Sequence, residues 1–134
     1  MATKVRTSSA LDNTERNPLI LVVDDDLHIR KMLRHLLEVG GHEVIEAEDG
    51  RTAWNIVLAR NPAVLVTDLQ MPGLDGFSLC RALRDAGFQK LSIIVYTGQR
   101  VTAEETRDAG ADELVMKSEP LSRLRDLVMK VRSN

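Results

Sequence analysis

Cysteine and long apolar runs are scarce in this chain. Cys80 is the only cysteine among the 134 residues, so no disulfide can form within the chain, and a reducing, cytoplasmic setting is expected. The longest apolar run, Leu19 to Val23, is far shorter than the roughly 20 residues that cross a bilayer, and residues 1–17 carry no apolar stretch of a signal peptide. The sequence therefore indicates neither a secreted nor a membrane-inserted protein.

The chain also lacks a strong net charge. Lys and Arg total 18 and Asp and Glu total 20, and the basic residues are scattered, so no basic face for nucleic acid is indicated. With 43% hydrophobic and 28% charged residues, the composition and the length suit one globular domain. We expect that domain to span residues 18–134, after a polar and flexible leader at 1–17.

From Pro18 onward, short apolar segments alternate with longer segments of helical period. This alternation predicts an α/β fold built around a parallel sheet. The predicted strands are Leu19 to Val23, Glu43 to Ala47, Ala63 to Thr67, Ser92 to Tyr96 and Glu113 to Met116. The first, third and fourth are nearly all apolar, which favours central positions covered on both faces.

Five helices are predicted between and after these strands. The first spans residues 27–39 and ends at Gly40-Gly41, because its apolar residues recur at helical spacing: Ile29, Met32, Leu33, Leu36 and Leu37. The others are predicted at 51–60, 77–86, 101–109 and 121–132. Only Val101, Ala103 and Ala109 could face a core in the fourth helix, whereas Leu121, Leu124, Val128 and Val131 form a clear apolar stripe in the fifth.

Polar residues follow four of the predicted strands. Asp24-Asp25-Asp26 follows the first strand, Asp68 the third, Thr97 the fourth and Lys117 the fifth. Because ligands of open α/β sheets bind beyond the carboxyl ends of the strands, we expect these side chains to converge. Clustered carboxylates repel one another unless a cation lies among them, and Mg²⁺ prefers oxygen ligands of this kind. The sequence therefore predicts a Mg²⁺ site at this edge.

Each of these residues also has an ordinary structural interpretation. Asp26 suits a helix N-cap, and Asp68 begins a turn-rich segment, DLQMPGLDG. The Thr97 hydroxyl could bond its own loop, and Lys117 could be solvated. Their joint placement, rather than any single residue, favours a functional site.

Four segments in order, LILVVDDD, VTDLQMPGLDG, YTG and VMK, resemble the receiver domain of bacterial two-component response regulators. The resemblance extends from Pro18 to Asn134. It implies a flavodoxin-like doubly wound sheet with strand order 2-1-3-4-5. No output domain follows the last predicted helix, so two interpretations stay open: a stand-alone receiver that acts through a partner, or a fragment whose effector domain has been removed.

The resemblance also implies the roles of the site residues. Asp68 matches the phosphoacceptor, which takes a phosphoryl group from a phosphohistidine of a histidine kinase or phosphotransferase and slowly loses it to water. Thr97 and Lys117 match the residues that contact the phosphoryl group. This is signalling chemistry, with a switch in the surface of the fourth helix, fifth strand and fifth helix that controls a protein partner or self-association.

The implied cofactor is Mg²⁺. Asp24 and Asp25 match the family's acidic pair. By the resemblance, Asp25 and Asp68 bind the ion directly, together with the backbone carbonyl of Gln70, and Asp24 acts through water.

Two positions depart from the family pattern. Leu114 stands where an aromatic residue is usual, which puts a ring-rotamer switch in doubt. The lysine is usually followed by proline, whereas Lys117 here precedes Ser118-Glu119-Pro120. A cis Lys117–Ser118 bond would cost about 2.5 to 4 kcal/mol, so a trans and rebuilt loop is predicted.

Two alternatives from other classes remain. Asp24 and Asp26 match the Asp-x-Asp pair of a phosphohydrolase, but that enzyme needs a late acidic pair, and only Glu119 and Asp126 follow Lys117. A receiver-like binding module that signals without phosphorylation would also fit the two departures. Trp54 and Cys80 are predicted to be core residues.

Overall fold

The structure is a computed structural model that describes residues 18–131. The predicted leader at 1–17 lies outside the described residues, as do residues 132–134. The strands are β1 Leu19–Val23, β2 Glu43–Ala47, β3 Val64–Thr67, β4 Ser92–Thr97 and β5 Glu113–Met116. The helices are α1 Leu27–Val39, α2 Gly50–Arg60, α3 Gly76–Asp85, α4 Ala103–Asp108 and α5 Leu121–Met129.

The strands form one parallel sheet in the order β2-β1-β3-β4-β5, which confirms the expected class and strand order. As predicted, β1, β3 and β4 are the central strands. Val23 lies opposite both Ala47 and Thr67, so β1, β2 and β3 end level with one another. The residues that follow β1 and β3 consequently begin side by side.

Alternate residues of the strands face two hydrophobic clusters, one on each side of the sheet. Leu21, Leu65 and Ile93 pack with α2 and α3, whereas Ile20 and Ile94 pack with α1 and α5. These five side chains are at most 2% exposed. Burial on both faces explains why the central strands are continuously apolar. Among the described residues, no helix is both long and apolar enough to span a bilayer.

The prediction for the fourth helix was partly wrong. The helix begins after Thr102, which caps it in a reciprocal arrangement with Glu105, and it ends at Asp108. Ala103 is exposed, while Thr106 is buried and donates its hydroxyl hydrogen to the Thr102 carbonyl at 2.9 Å. Thr106 could fill a core position because this local bond satisfies its only polar group.

The last helix is also shorter than predicted within the described residues. It ends at Met129 rather than 132, with Lys130 as its C-cap. Leu124 and Val128 are fully buried, as their spacing predicted, and Val131 is partly buried just beyond the helix. Apolar spacing therefore identified the buried face but did not locate the end.

The two predicted core residues, Trp54 on α2 and Cys80 on α3, are buried to different depths. Cys80 is fully buried, and Trp54 is partly buried against the same cluster. Burial raises the pKa of the Cys80 thiol to about 12. Cys80 is therefore a packing residue and has no reactive thiolate.

Candidate functional site

Asp24 and Asp68 lie side by side at the carboxyl edge of the sheet. The Asp68 N–H donates to the Val23 carbonyl at 3.0 Å, and the Asp24 N–H donates to the Ala47 carbonyl at 3.2 Å. The two aspartates are 1% and 7% exposed, respectively. Exposed Asp25 joins them, since carboxylate oxygens of all three residues lie within 4.8 Å of one another. The expected convergence of these carboxylates is confirmed.

Lys117 bridges the two buried carboxylates. Its Nζ lies 3.0 Å from Asp24 Oδ2 and 2.9 Å from Asp68 Oδ2. The backbone N–H of Lys117 donates to the Thr97 carbonyl at 2.8 Å. The interpretation of Lys117 as a solvated lysine was therefore wrong. Burial disfavours the ammonium, but the hydrogen bonds to Asp68 and Asp24 outweigh burial and raise the pKa of Lys117.

The pKa of Asp24 is raised as well. Burial is the main cause, and it outweighs the hydrogen bonds that Asp24 accepts from the Asp26 N–H and from Lys117. Desolvation thus makes the Asp24 carboxylate depend strongly on a cation beside it. Lys117 provides one such cation in this structure.

Thr97 is fully buried at the end of β4. Its Oγ1 accepts a hydrogen bond from the Gln99 N–H at 3.1 Å, so the predicted bond within its own loop is present. An accepting hydroxyl keeps its hydrogen, so Thr97 still has one donor to offer.

Asp26 serves the helix and not the cluster. Its Oδ1 accepts from the N–H groups of His28 and Ile29 at 2.8 and 3.2 Å, which confirms the predicted N-cap of α1. Asp24 Oδ1 in turn accepts from the Asp26 N–H at 2.9 Å. The Asp24 and Asp26 carboxylates are thus used differently, contrary to the paired use that a phosphohydrolase would need.

The loop after β3 folds tightly against Asp68. Asp68 Oδ1 accepts from the Leu69 N–H at 2.6 Å, and the Gly76 N–H donates to the Leu69 carbonyl at 3.0 Å. A Cβ at Gly76 would collide with the Asp68 carbonyl oxygen. Gln70 is exposed in this loop, and the role of its carbonyl stays a prediction.

The rebuilt loop after Lys117 is closed by Glu119. The Glu119 N–H donates to the Met116 carbonyl at 2.9 Å, and Glu119 Oε2 accepts from the Met116 N–H at 2.7 Å. The described residues contain no cis peptide bond, so the Lys117–Ser118 bond is trans as predicted. This reciprocal pair fixes the turn without a proline directly after the lysine.

Sequence reasoning missed two residues that contact the site. Arg30 Nη1 donates to the Asp24 carbonyl at 2.8 Å, and Lys117 Nζ lies 5.8 Å from the centroid of the Tyr96 ring. Tyr96 precedes Thr97 and belongs to the cluster on the α1 and α5 side of the sheet. Both contacts depend on tertiary packing, although the place of Tyr96 as the first residue of the YTG segment was a usable signal.

The charges at this edge suit a divalent cation. Three carboxylates face one ammonium group, and the Asp25 carboxylate makes no hydrogen bond or ion pair with any residue between 18 and 131. An unpaired carboxylate beside two buried ones offers the hard oxygen ligands that Mg²⁺ requires. The donor set therefore fits the ion that the resemblance implies.

A parallel sheet of this order, with an acidic cluster and a lysine at its carboxyl edge, defines a receiver fold. The family model for the response regulator receiver domain matches residues 20–129, and this chain belongs to that family. Phosphorylation on aspartate and Mg²⁺ binding at the acidic pocket are general features of its members.

Named relatives agree with this assignment. Response regulator MprA of Mycolicibacterium vanbaalenii is 40% identical over 117 residues, which cover 83% of this chain and 50% of that protein. MprA of Mycobacterium tuberculosis is 40% identical over 119 residues, with 84% and 51% covered. The chain spans about half the length of these curated relatives.

Solved structures show the same fold. The receiver domain of Francisella response regulator 1452 has a TM-score of 0.80 at 30% identity, with 86% of this chain and 96% of that chain covered. Chemotaxis response regulator CheY4 of Vibrio cholerae has a TM-score of 0.76 at 28% identity, with 84% and 97% covered.

Proposed function

We propose that this chain is a phosphorylatable receiver, in which Asp68 accepts a phosphoryl group from a phosphohistidine of a histidine kinase or histidine phosphotransferase. One observation supports this most strongly: Asp68 Oδ2 lies 2.9 Å from Lys117 Nζ, within a cluster of three carboxylates at the carboxyl edge of the sheet. A nucleophile, a cation for the incoming oxygens and ligands for a metal are thus adjacent. We take the receiver to span residues 18–134 and to work in the cytoplasm.

The metal of this site is Mg²⁺ in our proposal, bound directly by Asp25, Asp68 and the backbone carbonyl of Gln70, with Asp24 acting through water. The close carboxylates and the unpaired Asp25 support this ligand set. When bound, the ion supplies positive charge that screens the repulsion between the Asp68 carboxylate and the incoming phosphoryl group.

The protein's own groups supply the remaining chemistry. Asp68 needs no general base, because a carboxylate is already ionised near neutral pH. Lys117 gives up part of its bonding to Asp24 and Asp68 and neutralises a phosphoryl oxygen. Thr97 donates its hydroxyl hydrogen to another. Phosphoryl transfer depends mostly on positioning and charge stabilisation, which these side chains provide alongside the positive charge of Mg²⁺. Water attacking the same phosphorus makes the domain a slow phosphatase of itself.

The response arises from the movement of Lys117 and Thr97 toward the new charge. The phosphoryl group carries roughly −1.5 to −2 charge where the Asp68 carboxylate carried a single negative charge, and couplings of this kind are typically about 1 to 3 kcal/mol. Thr97 ends β4 and Lys117 directly follows β5, so their movement biases the surface formed by α4, β5 and α5. We propose that this α4–β5–α5 surface controls a downstream protein or self-association.

The experiment is Mg²⁺-dependent labelling with acetyl phosphate, followed by intact mass, on the native chain, Asp68→Asn and Asp75→Asn. Asp75 is an exposed N-cap in the same loop, and asparagine also caps helices, so Asp75→Asn is a matched control. One phosphoryl group should be gained by the native chain and by Asp75→Asn but not by Asp68→Asn. Absence of any gain while Mg²⁺ still binds would instead support a receiver-like module that signals without phosphorylation.

A further inference from the structure

Arg30 connects the first turns of α1 to the acidic cluster. Its side chain is 11% exposed, and Nη1 donates to the Asp24 carbonyl oxygen at 2.8 Å. The Asp24 N–H is already bonded to the Ala47 carbonyl at 3.2 Å. The Asp24 main chain is therefore anchored on both sides.

Asp25 depends on this anchoring more than its neighbours do. Its own carboxylate makes no hydrogen bond or ion pair within the described part of the chain. The peptide oxygen before it is bound by Arg30, and the peptide N–H after it, that of Asp26, is bound by Asp24 Oδ1 at 2.9 Å. The position from which the Asp25 carboxylate extends is thus set by hydrogen bonds to the peptide groups on either side of Asp25, and not by any bond of its own side chain.

The guanidinium group is itself oriented by Glu46 in β2. Arg30 Nε lies 3.2 Å from Glu46 Oε1, and the other Glu46 oxygen binds Lys31 at 3.0 Å and Arg34 at 2.9 Å. Glu46 is also 11% exposed. A planar guanidinium with several donors can bind this carboxylate and the Asp24 carbonyl together, which a single ammonium cannot reproduce.

Charge alone would not favour a cation at this position. A positive group beside a divalent-cation site repels the ion and weakens its binding. Arg30 is adjacent to the cluster nevertheless, with Glu46 as its counter-ion and the Asp24 carbonyl as its second acceptor. Electrostatics and positioning therefore predict opposite effects when Arg30 is replaced.

We propose that Arg30 is a positioning residue for the metal site: held by Glu46, it fixes the Asp24–Asp25 peptide and thereby strengthens Mg²⁺ binding. This inference rests on the proposed function, because it takes the acidic cluster as the Mg²⁺ site. Replacing a residue that holds a metal ligand in position commonly weakens metal affinity by about 10- to 100-fold, so the effect is measurable.

The test is the dissociation constant of Mg²⁺, measured by titration calorimetry on the native chain, Arg30→Met, Arg30→Lys and Lys31→Met. Lys31→Met removes the same unit charge beside the same Glu46 without touching Asp24. Arg30→Met should weaken Mg²⁺ binding by about tenfold although it removes a repelling charge. Arg30→Lys keeps the charge and the stem and should also weaken binding, whereas Lys31→Met should leave it equal or slightly tighter.

Arg30→Lys keeps the test decisive if Arg30→Met fails to fold. An Mg²⁺ affinity of Arg30→Lys within about twofold of the native value would overturn the proposal. So would tighter binding by a folded Arg30→Met. If the native chain binds no Mg²⁺, the proposed function fails and this inference fails with it. If the native chain binds Mg²⁺ and the Arg30 variants bind it equally well, only the positioning role of Arg30 is wrong.

Discussion

Lys117 Nζ and Asp68 Oδ2 are 2.9 Å apart, and this ion pair joins residues that follow two strands separated in the sheet by β4. The same ammonium reaches Asp24 at 3.0 Å. Any phosphoryl group on Asp68 would therefore meet a cation already in contact with the acceptor. Lys117 thus offsets part of the negative charge of the site before phosphorylation and is available to stabilise the phosphoryl group afterwards.

Replacing Lys117 should have opposite effects on labelling and on Mg²⁺ binding. Lys117→Met should slow acetyl phosphate labelling by about 100-fold, since one preorganised electrostatic contact is lost. The same variant should bind Mg²⁺ more tightly, because a competing cation has been removed from Asp24 and Asp68. Time courses by intact mass and calorimetry measure both effects.

A suitable control is Lys130→Met, because Lys130 lies near Ala63 and Ser92, at the opposite end of the sheet. It should leave both quantities unchanged. A labelling rate for Lys117→Met equal to that of the native chain would contradict the proposed contact with the phosphoryl group.

The loop at Asp68 should not tolerate a side chain at Gly76. In Gly76→Ala the new Cβ would meet the Asp68 carbonyl and Leu69 Cα, so we expect a loss of about 1 to 3 kcal/mol in the free energy of unfolding. Gly98→Ala is the control, since a Cβ there would meet only Lys117 Cδ, at an ordinary contact distance of 3.9 Å. Urea unfolding followed by circular dichroism should separate the two variants, and equal stabilities would refute the close approach.

Glu46 should make stability depend on pH in the acid range. Burial by itself raises the pKa of Glu46, but hydrogen bonds from Arg34, Lys31 and Arg30 outweigh burial and lower it from 4.5 to about 2. Because the folded-state pKa is the lower one, the stabilisation is present above about pH 4.5 and is lost as the pH falls toward about 2. The stability difference between the native chain and Glu46→Gln should therefore shrink over that range.

The control for Glu46 is Glu43→Gln in the same strand. Glu43 has 72% of its side chain exposed and lies 3.5 Å from Arg60, so its replacement should have little effect at any pH. Urea unfolding at several pH values measures both differences. A difference for Glu46→Gln that stays constant with pH would show that the charged network does not hold Glu46 ionised.

Glu119 should be required for the turn after Lys117. Glu119→Ala removes the carboxylate that accepts from the Met116 N–H at 2.7 Å, which should cost about 1 kcal/mol of stability and slow labelling of Asp68. Glu119→Gln keeps an oxygen acceptor and should recover most of both losses. If alanine and glutamine behave alike in both measurements, the side chain does not position Lys117.

Much of the fold could be predicted because its signals are local. Three of the five predicted strands have the observed bounds, since each is a short apolar or alternating segment between polar turns. Asp26 was predictable as a cap from its place before a periodic segment. The end of α5 was not predictable, because Lys130 and Val131 continue the helical spacing of polar and apolar residues without a helix-stopping residue.

The site was predictable only in part. Strand ends of a parallel sheet converge, so the meeting of Asp24 and Asp68 followed from topology. The bridge from Lys117 depends on a side-chain conformation, and the bond from Arg30 to the Asp24 carbonyl depends on packing between α1 and β2. Neither contact leaves a periodic signal in the sequence.

The most direct measurement is localisation of the phosphoryl group by peptide mass mapping after labelling in Mg²⁺ and borohydride reduction, which converts an aspartyl phosphate to homoserine. We predict homoserine at position 68 and unmodified aspartate at positions 24, 25 and 75. Homoserine at position 24, 25 or 75 instead of position 68 would contradict the assignment of Asp68 as the phosphoacceptor. So would the absence of homoserine at all four positions in a chain that still binds Mg²⁺.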